Sequence, residues 1–557
     1  MSKSFKTSKE HITFIPLGGS GHFGANFNLY GYDQTWIGLD CGMGFAGDRY
    51  PGIDLLLPNP SFIEDHNDDL KAIIITHAHE DHIGGVTYLW PKLKCPIYTS
   101  HFTAEVLRRK LSETDYGDDV EIIEVESYTP FRIGPYEMTF IPVSHSIPDT
   151  HAVYIETEIG GILHSGDWNI DPKPMAGLAT REEDFIKLRD RNVLSFVGDS
   201  TNAPFDKPVI SESDLVPEFE RVVAGIEGRV IVTLFSSNIG RIKTVAMAAK
   251  ENGRHVCLIG RSLKNMASIA KLCGYLDGVD NFLSEEEAGY LDANRIVYIV
   301  TGSQGEYRAA LPKMSRGANR DVKLDEGDVV LFSARAIPGN ERAIADMKNL
   351  LAAQGVKFIM PNEEKIHVSG HPYMNEVKQM FDWVKPKSVV AVHGERENQE
   401  ALVELAHKSQ IHSAVVPENG SVIEISETGA KIVDHVETDF LLYDEGKLIP
   451  EDHISVHERR KMGYNGAAFV TVEIDNADKD ISDIQFTCFG LLDESLKADQ
   501  KVVDDLLDKI DHCVSRLPRD KIKSDDIVHE TVRLCVRRFF KERYYRKPLI
   551  EIHIVRT

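Results

Sequence analysis

The chain contains no pair of cysteines at the CxxC spacing, because its seven cysteines are scattered at positions 41, 95, 257, 273, 488, 513 and 535 of 557 residues. This scatter argues against a disulfide framework and against a thiolate zinc site, and it fits a reducing cytoplasm. The sequence also has no apolar segment of a signal peptide near its start and no run of about 18 apolar residues. Neither secretion nor a membrane span is therefore expected.

Basic residues are scarcer than acidic residues. The chain has 63 Lys and Arg against 87 Asp and Glu, a net charge of -24, which argues against broad, non-specific attraction to nucleic acid. The net charge does not exclude a local basic channel. Positive charge is concentrated in "VRRFFKERYYRKP", residues 536–548, which favours a helix with a solvated basic face over a segment that stacks RNA bases.

The length predicts three or four domains at about 150 residues each. Residues 1 to about 205 read as β-rich, whereas strands and helices alternate from about 211 to 360 and predict a parallel sheet covered by helices. Residues from about 435 to 460 are charged and irregular, as in a linker. The last hundred residues end with a helix and a strand and predict a small α+β module.

The segment "ITHAHEDHIGGV", residues 75–86, follows a strand that reads as buried on both faces, so its polar residues lie at the carboxyl edge of a sheet. Imidazole and carboxylate ligands without sulfur favour zinc, with manganese as the alternative. Two further apolar runs end in a candidate ligand, "MTFIPVSHS" in His145 and "GGILHSGDW" in Asp167. His164 lies inside its strand run and is not predicted to be a ligand.

The order of these motifs resembles the metallo-β-lactamase superfamily: HxHxDH at 77–82, a histidine at 145, "HSGDW" around 167 and "VHGE" around 393. The resemblance implies an αββα sandwich that binds two zinc ions. It also implies the ligands: His77, His79 and His145 on one ion, Asp81, His82 and His393 on the other, and Asp167 bridging both.

Asp167 and His393 are 226 residues apart in the sequence, which indicates that a whole domain is inserted between two ligands. The insertion resembles the β-CASP domain of nucleic-acid-processing enzymes. The motifs "GDSTNA", "FSSNIGR", "TGSQGE", "IPGNE", "IHVSGH" and "VHGE" are similar to the ribonuclease J family in type and order. The predicted domains are a metallo-β-lactamase domain over 1–208 and 365–440, a β-CASP domain over 209–364, a linker over 441–460 and a C-terminal domain over 461–557.

This resemblance implies a zinc-dependent ribonuclease that degrades single-stranded RNA from a 5'-monophosphate end in the 5'-to-3' direction and also cleaves internally. Manganese or magnesium are alternative ions for activity. The implied catalytic residues are Asp81, Asp167, Asp199 and His367, with His367 and Asp199 as the pair that protonates the leaving 3'-oxygen. The implied RNA and phosphate contacts are Ser369, Gly370, His371, Ser237 and Asn238. The implied partners are a second copy of the chain, in dimers or tetramers formed by the C-terminal domain, and an RNA-degradation complex.

Other interpretations stay open. Asp199 also fits a turn or helix cap, "HVSGHP" also fits a plain glycine turn, and Phe235 fits a core aromatic better than a base-stacking one. The chain departs from the family pattern at Gly240, where many members have histidine, and at Ala334 and Arg335, which stand in a run that is usually rich in serine. The alternative functions are a hydrolase of small esters, lactones or thioesters, a non-catalytic scaffold for RNA decay, and a DNA-specific nuclease.

Overall fold

The computed structural model describes residues 5–337, 339–477, 480–493 and 495–557. Two compact units divide the chain. The first comprises the residues up to Phe45 together with Leu56–Phe440, and the second comprises Ala46–Leu55 and Leu441–Thr557. Among the described residues, no helix combines the length and the apolar character that crossing a bilayer requires.

The strands of the described residues are β1 Ile12–Gly18, β2 Ser20–Gly21, β3 Phe27–Tyr32, β4 Thr35–Leu39, β5 Gly44–Phe45, β6 Leu55–Pro58, β7 Leu70–Ile74, β8 Ile97–Thr99, β9 Ile122–Glu124, β10 Phe131–Ile133, β11 Tyr136–Val143, β12 Thr150–Thr157, β13 Gly160–His164, β14 Val193–Asp199, β15 Val230–Thr233, β16 His255–Ile259, β17 Ile296–Val300, β18 Val329–Phe332, β19 Lys357–Ile359, β20 Ser388–Val392, β21 Gly394–Glu395, β22 Ser413–Val415, β23 Ser421–Ser426, β24 Gly429–His435, β25 Phe440–Asp444, β26 Lys447–Pro450, β27 Ala467–Ile474, β28 Ile481–Phe489 and β29 Leu549–Arg556.

The α-helices of the same residues are α1 Ser61–Glu64, α2 Glu80–Ile83, α3 Val86–Leu93, α4 His101–Leu111, α5 Glu182–Ile186, α6 Leu215–Ala224, α7 Ile239–Glu251, α8 Arg261–Leu272, α9 Glu285–Gly289, α10 Ala310–Ser315, α11 Glu341–Ala353, α12 Met374–Val384, α13 Arg396–Lys408, α14 Ile454–Asn465, α15 Lys497–Ser515 and α16 Asp525–Tyr544.

Two large sheets of the first unit form a sandwich. One has the strand order β24-β23-β1-β3-β4-β7-β8-β9, and the other has the order β10-β11-β12-β13-β14-β20-β22. Their inner faces share one core, with Phe14 and Leu39 from the first sheet and Phe140 and Val390 from the second. Helices α5, α12 and α13 cover the outer face of the second sheet through a separate apolar cluster. The predicted layers of sheet and helix are therefore present.

Strand β20 completes the second sheet from a distant part of the sequence. It pairs in parallel with β14, with Phe196 opposite Val389 and Asp199 opposite Val392. All five residues of β20 are buried, as expected of a parallel strand that is covered on both faces. The sandwich is consequently built from residues on both sides of the segment that the sequence predicts as an insertion.

That segment forms a third sheet, in the order β16-β17-β15-β18-β19. Every neighbouring pair in it is parallel. Its core joins apolar strand residues, such as Ile231 and Val330, to helix residues, such as Leu311 and Leu351. The prediction of a parallel sheet with covering helices between about 211 and 360 is confirmed.

The second unit contains the predicted α+β module. Strand β27 pairs antiparallel with β28 and parallel with β29, and α15 and α16 share a core with this sheet. Phe539 and Phe540 of α16 are buried, whereas Arg537 and Arg538 are exposed. The basic segment therefore forms the structure that the sequence favours, a helix with apolar residues packed inward and basic residues in solvent.

The prediction of an irregular linker over 441–460 is wrong for the described residues. Strands β25 and β26 form an antiparallel hairpin in this stretch, and α14 begins at Ile454. Leu442 and Ile449 face each other in the hairpin and are both buried. A few apolar residues between charged neighbours suffice for a hairpin once other chain segments cover them. The predicted domain boundaries themselves stay a prediction.

Candidate metal centre and active site

The loop that follows β7 carries the HxHxDH motif. Strand β7 ends at Ile74, and the motif runs from His77 through the short helix α2. Asp40, at the end of the neighbouring strand β4, holds this loop in place because its carboxylate accepts hydrogen bonds from the backbone N–H and the hydroxyl of Thr76, at 2.8 and 3.0 Å. The other Asp40 oxygen lies 2.7 Å from Nδ1 of His82. One buried carboxylate thus fixes both ends of the motif.

The remaining predicted ligands follow strands of the second sheet. His145 comes after β11, Asp167 after β13 and His393 after β20, while Asp199 is the last residue of β14. Strands β13, β14 and β20 are parallel, and β11 runs in the same direction because it is separated from β13 by one antiparallel strand. Their carboxyl ends therefore meet at one edge, as the argument from strand ends predicts.

Three groups of potential ligand atoms form at this edge, and in each group all the atoms lie within 4.8 Å of one another. Asp167 belongs to every group. Its carboxylate oxygens lie 3.3 Å from Nε2 of His82 and 3.5 Å from Nε2 of His393. The groups are His77, His79, His145 and Asp167; Asp81, His82, Asp167 and His393; and Asp167, Asp199, His371 and His393. The first two groups contain the seven predicted metal ligands.

The residues of the first two groups fit divalent metal ions. Nε2 of His77 and Nε2 of His145 both point at Nδ1 of His79, at 3.1 and 3.0 Å, although a single ring proton satisfies only one of these contacts. Oδ1 of Asp167 is buried and has no hydrogen-bond partner among the described residues. Converging imidazole nitrogens beside a carboxylate oxygen that accepts no hydrogen bond are a donor set that zinc prefers.

Burial tunes the imidazoles of the first group for metal binding. It lowers the pKa of His79 to about 4 and the pKa of His145 to about 3, and it also holds the pKa of His77 well below its usual value. These three rings are therefore neutral near pH 7, and the neutral ring is the form that binds a metal ion.

The second group is electrostatically different because carboxylates surround its histidines. Burial pulls the pKa of His82 and of His393 down, but Asp167 and the other nearby carboxylates outweigh burial and raise both values. The same histidines hold the pKa of Asp167 well below its usual range against the opposing effect of burial. Asp167 is consequently ionised, which is the form that binds cations.

Four of the predicted ligand histidines have one ring nitrogen held by a neighbouring residue. This contact fixes the ring orientation and aims the free nitrogen at the centre. The pairs are Thr76 Oγ1 with His77 Nδ1 at 3.0 Å, Asp40 Oδ2 with His82 Nδ1 at 2.7 Å, Gly370 O with His145 Nδ1 at 2.6 Å and Thr201 Oγ1 with His393 Nδ1 at 2.9 Å.

The predicted pairing of Asp199 with His367 is wrong in this structure. Oδ2 of Asp199 lies 2.8 Å from Nδ1 of His371, which makes His371 the oriented imidazole at the centre. His367 lies beside Arg241 instead, with its Nδ1 3.4 Å from Nη1. Burial, reinforced by Arg241 and Arg335, lowers the pKa of His367 to about 3. The cause is a tertiary contact, because the backbone at residue 366 is anchored to another part of the fold.

That anchor is Arg241, a fully buried arginine near the start of α7. Its guanidinium binds both carboxylate oxygens of Glu212, at 2.6 and 2.8 Å. It also donates to the carbonyl oxygen of Ile366 at 3.1 Å, and the hydroxyl of Ser333 donates to the same oxygen at 2.6 Å. Residues 366 and 367 are therefore held against the parallel sheet, and the loop returns to the metal centre only at residues 369–371.

The predicted phosphate contacts divide into two sets. Ser369, Gly370 and Asn238 line one pocket together with the predicted ligand His145, whereas Ser237 and His371 are not among its lining residues. The amide of Asn202 donates to the hydroxyl of Ser369 at 2.8 Å. A side chain at Gly370 would not fit, because a Cβ there would lie 2.8 Å from the imidazole of His145. Phe235 is half-buried at the end of β15.

Sequence reasoning missed Asp40, Arg241 and Asn202. Asp40 follows the apolar run "TWIGL" just as Asp167 and Asp199 follow theirs, so the strand-end rule would have found it. Arg241 stands in "SSNIGR" as an ordinary basic residue near a helix start, and nothing in the pattern marks it as buried. Asp40 can be found from the strand pattern, whereas the role of Arg241 depends on tertiary contacts that the sequence pattern does not show.

The sandwich and its fused histidine and aspartate groups define a metallohydrolase of the metallo-β-lactamase fold. Four family models match the chain: a beta-lactamase superfamily domain over residues 35–186, a ribonuclease J beta-CASP domain over 227–351, a Zn-dependent metallo-hydrolase RNA specificity domain over 355–417 and a ribonuclease J C-terminal domain over 454–557. The chain belongs to the ribonuclease J family. It is a metal-dependent ribonuclease in which a β-CASP domain is inserted into the sandwich.

Similar proteins extend over nearly the whole chain. Ribonuclease J of Sinorhizobium meliloti is 39% identical over 553 residues, which cover 98% of each chain. Ribonuclease J of Mycolicibacterium smegmatis is 32% identical over 96% of this chain and 95% of its own, and ribonuclease J2 of Bacillus subtilis is 31% identical over 85% and 86%. A crystal structure of a protein of unknown function from Enterococcus faecalis covers 74% of this chain and all of its own, with a TM-score of 0.54 and 18% identity, and shares the fold.

Proposed function

We propose that this ribonuclease binds two zinc ions and degrades single-stranded RNA from a 5'-monophosphate end in the 5'-to-3' direction, with internal cleavage as a second activity. Manganese or magnesium are alternative ions for activity. The observation that carries the proposal is the adjacency of two features: the shared carboxylate of Asp167 joins two ligand groups, and the pocket of Ser369, Gly370 and Asn238 opens directly onto the ligand His145.

The ligand assignment follows from the two groups. His77, His79 and His145 would hold one ion, Asp81, His82 and His393 would hold the other, and Asp167 would bridge them. A bound pair of divalent ions lowers the pKa of a water molecule and neutralises charge on phosphoryl oxygens. Asp81 and Asp167 are ionised beside these histidines, and their negative charges would offset the positive charge of the bound ions.

We assign the proton that the leaving 3'-oxygen needs to His371 rather than His367. The Asp199 carboxylate occupies Nδ1 of His371, so Nε2 would be the ring nitrogen that donates to the substrate. Burial lowers the pKa of His371, but Asp199 and Asp167 outweigh burial and raise it, which favours the protonated ring that can donate. His367 lacks this carboxylate and is held neutral.

Ser369, Gly370 and Asn238 would bind the terminal phosphate. A hydroxyl, an amide and an unhindered backbone are groups that receive phosphate oxygens. The loop is rigid at this point because Asn202 holds Ser369 and because Asn169 donates to the Ser369 carbonyl oxygen at 3.0 Å. An end held in this pocket would keep the first phosphodiester a fixed distance from the metal ligands, which accounts for the direction of degradation. Ser237 stays a predicted RNA contact.

Family membership favours RNA over the alternative substrates. The matched RNA specificity domain spans residues 355–417, which include Ser369 and His393, so an ester hydrolase and a DNA-specific nuclease are disfavoured. The filled ligand groups argue against a scaffold that has lost catalysis. We also propose dimers or tetramers formed through residues 461–557, participation in an RNA-degradation complex and a cytoplasmic location. The seven free cysteines fit a reducing compartment.

The test uses 3'-labelled RNAs of one sequence with a 5'-monophosphate, a 5'-hydroxyl or a 5'-triphosphate, together with elemental analysis of the protein. We expect about two zinc ions per chain and preferential loss of the monophosphorylated RNA without long-lived intermediates. His77→Ala should abolish the loss of RNA and lower the metal content. Equal rates on all three ends would reject the terminal-phosphate pocket, and a fully metallated chain that leaves RNA intact would reject the assigned reaction.

A further inference from the structure

Two cysteine side chains meet in the second unit, although they are 22 positions apart in the sequence. Sγ of Cys513 lies 3.3 Å from Sγ of Cys535. Cys513 belongs to α15 and Cys535 to α16, and both cysteines are free in this structure. The contact is therefore between two thiols, a pairing that the spacing of the cysteines along the chain does not reveal.

The packing of the two helices holds the sulfurs together. Cys535 belongs to the buried face of α16, as do Val532 and Val536, and all three residues are part of the core that the helices share with the sheet. Sγ of Cys535 also lies 3.5 Å from the carbonyl oxygen of Lys509, one turn before Cys513 on α15. The Cys535 side chain is thus directed at the part of α15 that bears Cys513.

The two thiols differ in exposure. Cys513 is half-buried at the edge of the core, whereas only 5% of Cys535 is exposed. Burial, reinforced by the neighbouring thiol of Cys513, raises the pKa of Cys535, while Lys509 and Arg538 oppose this rise. Since the thiolate is the reactive form of cysteine, Cys535 is protected, and Cys513 is the member of the pair that a small oxidant reaches first.

From these contacts we infer that Cys513 and Cys535 form a redox-active pair, which hydrogen peroxide converts into a reversible disulfide between α15 and α16. The sulfurs need to approach by only about 1.3 Å to reach the S–S bond length of about 2.0 Å, and rotation of the two side chains supplies a shift of this size. In a reducing compartment, a disulfide of this kind is transient and serves as a redox sensor.

The oxidation proceeds in two balanced steps. In the first step, the Cys513 thiolate attacks one oxygen of the peroxide, the O–O bond breaks, and the hydroxide that leaves takes up a proton to give water and a sulfenic acid on Cys513. In the second step, Cys535 gives up its proton and its sulfur attacks the sulfur of Cys513. The S–S bond forms, the S–O bond breaks, and the departing hydroxide takes that proton to form a second water. The two thiols lose two electrons in total, and one peroxide gains them.

The bond would stabilise the C-terminal module against unfolding. It closes a loop over residues 513–535, which contain the connection between the helices and the first half of α16. In the chain-entropy account, closing a loop of this length lowers the population of the unfolded module by roughly two orders of magnitude. The inference goes beyond the proposed RNA chemistry and does not depend on it, because the second unit contains none of the predicted metal ligands.

The test exposes the full-length chain to a small excess of hydrogen peroxide, blocks the remaining thiols with N-ethylmaleimide under denaturing conditions and digests the protein with trypsin. Arg516 and Arg533 lie between the two cysteines, so trypsin places the cysteines on separate peptides. We expect two fewer blocked cysteines than the seven of the reduced chain. We also expect a linked pair of peptides, lighter by two hydrogen atoms than the separate peptides together, which dithiothreitol separates.

Single substitutions assign the roles of the two thiols. In Cys535→Ala, which keeps the buried position apolar, oxidation should stop at a sulfenic acid on Cys513, and dimedone traps this species. In Cys513→Ser, the buried Cys535 should stay a thiol after the same treatment. The matched control is Cys273→Ser, which removes a half-buried cysteine of the first unit and should leave the linked pair of peptides unchanged.

Hydrogen exchange measures the effect of the bond on the module. The amides of α15 and α16 should exchange about 10²-fold more slowly in the oxidised chain, and dithiothreitol should restore the original rates. The inference would be overturned by seven blocked cysteines after peroxide, by a disulfide that joins two chains on a non-reducing gel, or by unchanged exchange in a chain that carries the bond. Cleavage of RNA tests the proposed function separately.

Discussion

The buried ion pair between Arg241 and Glu212 allows a quantitative prediction about the 366–371 loop. Replacing Arg241 with methionine keeps most of the side-chain volume but removes every hydrogen bond of the guanidinium. Glu212, which is 8% exposed, would keep only the Thr244 hydroxyl, at 3.1 Å, as a side-chain partner. An uncompensated buried charge of this kind costs about 3–5 kcal/mol. We therefore expect Arg241→Met to destabilise the region around α7 and β18 by that amount.

Hydrogen exchange measured by mass spectrometry reports this local stability. A loss of about 3–5 kcal/mol corresponds to faster exchange of the protected amides of α7 and β18 by roughly two to three and a half orders of magnitude. The amides of β27 to β29 in the second unit serve as an internal reference and should not change. RNA turnover should fall as well, because the carbonyl of Ile366 loses one of its two donors.

A double substitution separates the buried charge from the lost packing. In Arg241→Met/Glu212→Leu no carboxylate is left unpaired, so most of the protection should return and the remaining cost should be about 1–2 kcal/mol. Arg241→Lys retains the charge and should lie between the wild type and Arg241→Met. If the double variant exchanges as fast as Arg241→Met alone, the unpaired carboxylate is not the cause and the reasoning is refuted.

Four further predictions concern the metal centre and its support. Asp167→Asn should lower the metal content from about two ions to below one, since this carboxylate serves both ligand groups; two retained ions would contradict the bridging role. His371→Ala should lower kcat about 10²–10⁴-fold and His367→Ala less than tenfold, and the reverse order would restore the original pairing. Gly370→Ala should reduce metal content because its Cβ would meet a ligand imidazole at 2.8 Å. Burial lowers the pKa of His164 to about 4, so its contribution to the free energy of unfolding should be complete above pH 6.5 and fall by about 3 kcal/mol toward pH 4. In urea unfolding, His164→Gln should reduce that fall.

Three of the predicted metal ligands could be found from the sequence because each follows an apolar strand run, whereas the complete set came from the family resemblance. A buried parallel strand reads as an uninterrupted apolar run, and the polar residue after it must lie at the sheet edge. This rule places His77, His145 and Asp167 without any knowledge of tertiary structure. The same rule applied to β4 would have added Asp40, whose role differs only in that it orients ligands rather than binding metal.

The choice between His367 and His371 could not be made from the sequence. Both histidines stand in one short motif, and their spacing fits either residue beside Asp199. The outcome depends on which part of the loop is held by tertiary contacts. The contact that holds it comes from the buried Arg241, which lies 126 residues before His367. Contacts over such separations leave no periodic signal, whereas strand and helix periods do.

The hairpin of β25 and β26 shows the same limit for secondary structure. Residues 441–460 alternate short apolar pairs with charges and turn residues, a pattern that fits a linker as well as a hairpin. Only the burial of Leu442 and Ile449 by other parts of the chain distinguishes the hairpin from a linker. The parallel sheet between 211 and 360 was predictable because its strands and helices repeat several times, so that each element supports the assignment of the next.

The late position of β20 has a consequence for synthesis of the chain on the ribosome. The last ligand, His393, follows a strand that pairs with β14, whose final residue is Asp199. At about 5–20 residues per second, the roughly 190 intervening residues take about 10–40 s to translate. Throughout that interval the nascent chain has six of the seven predicted ligands and an incomplete second sheet. Until residue 393 is made, the nascent chain therefore lacks the complete set of predicted ligands.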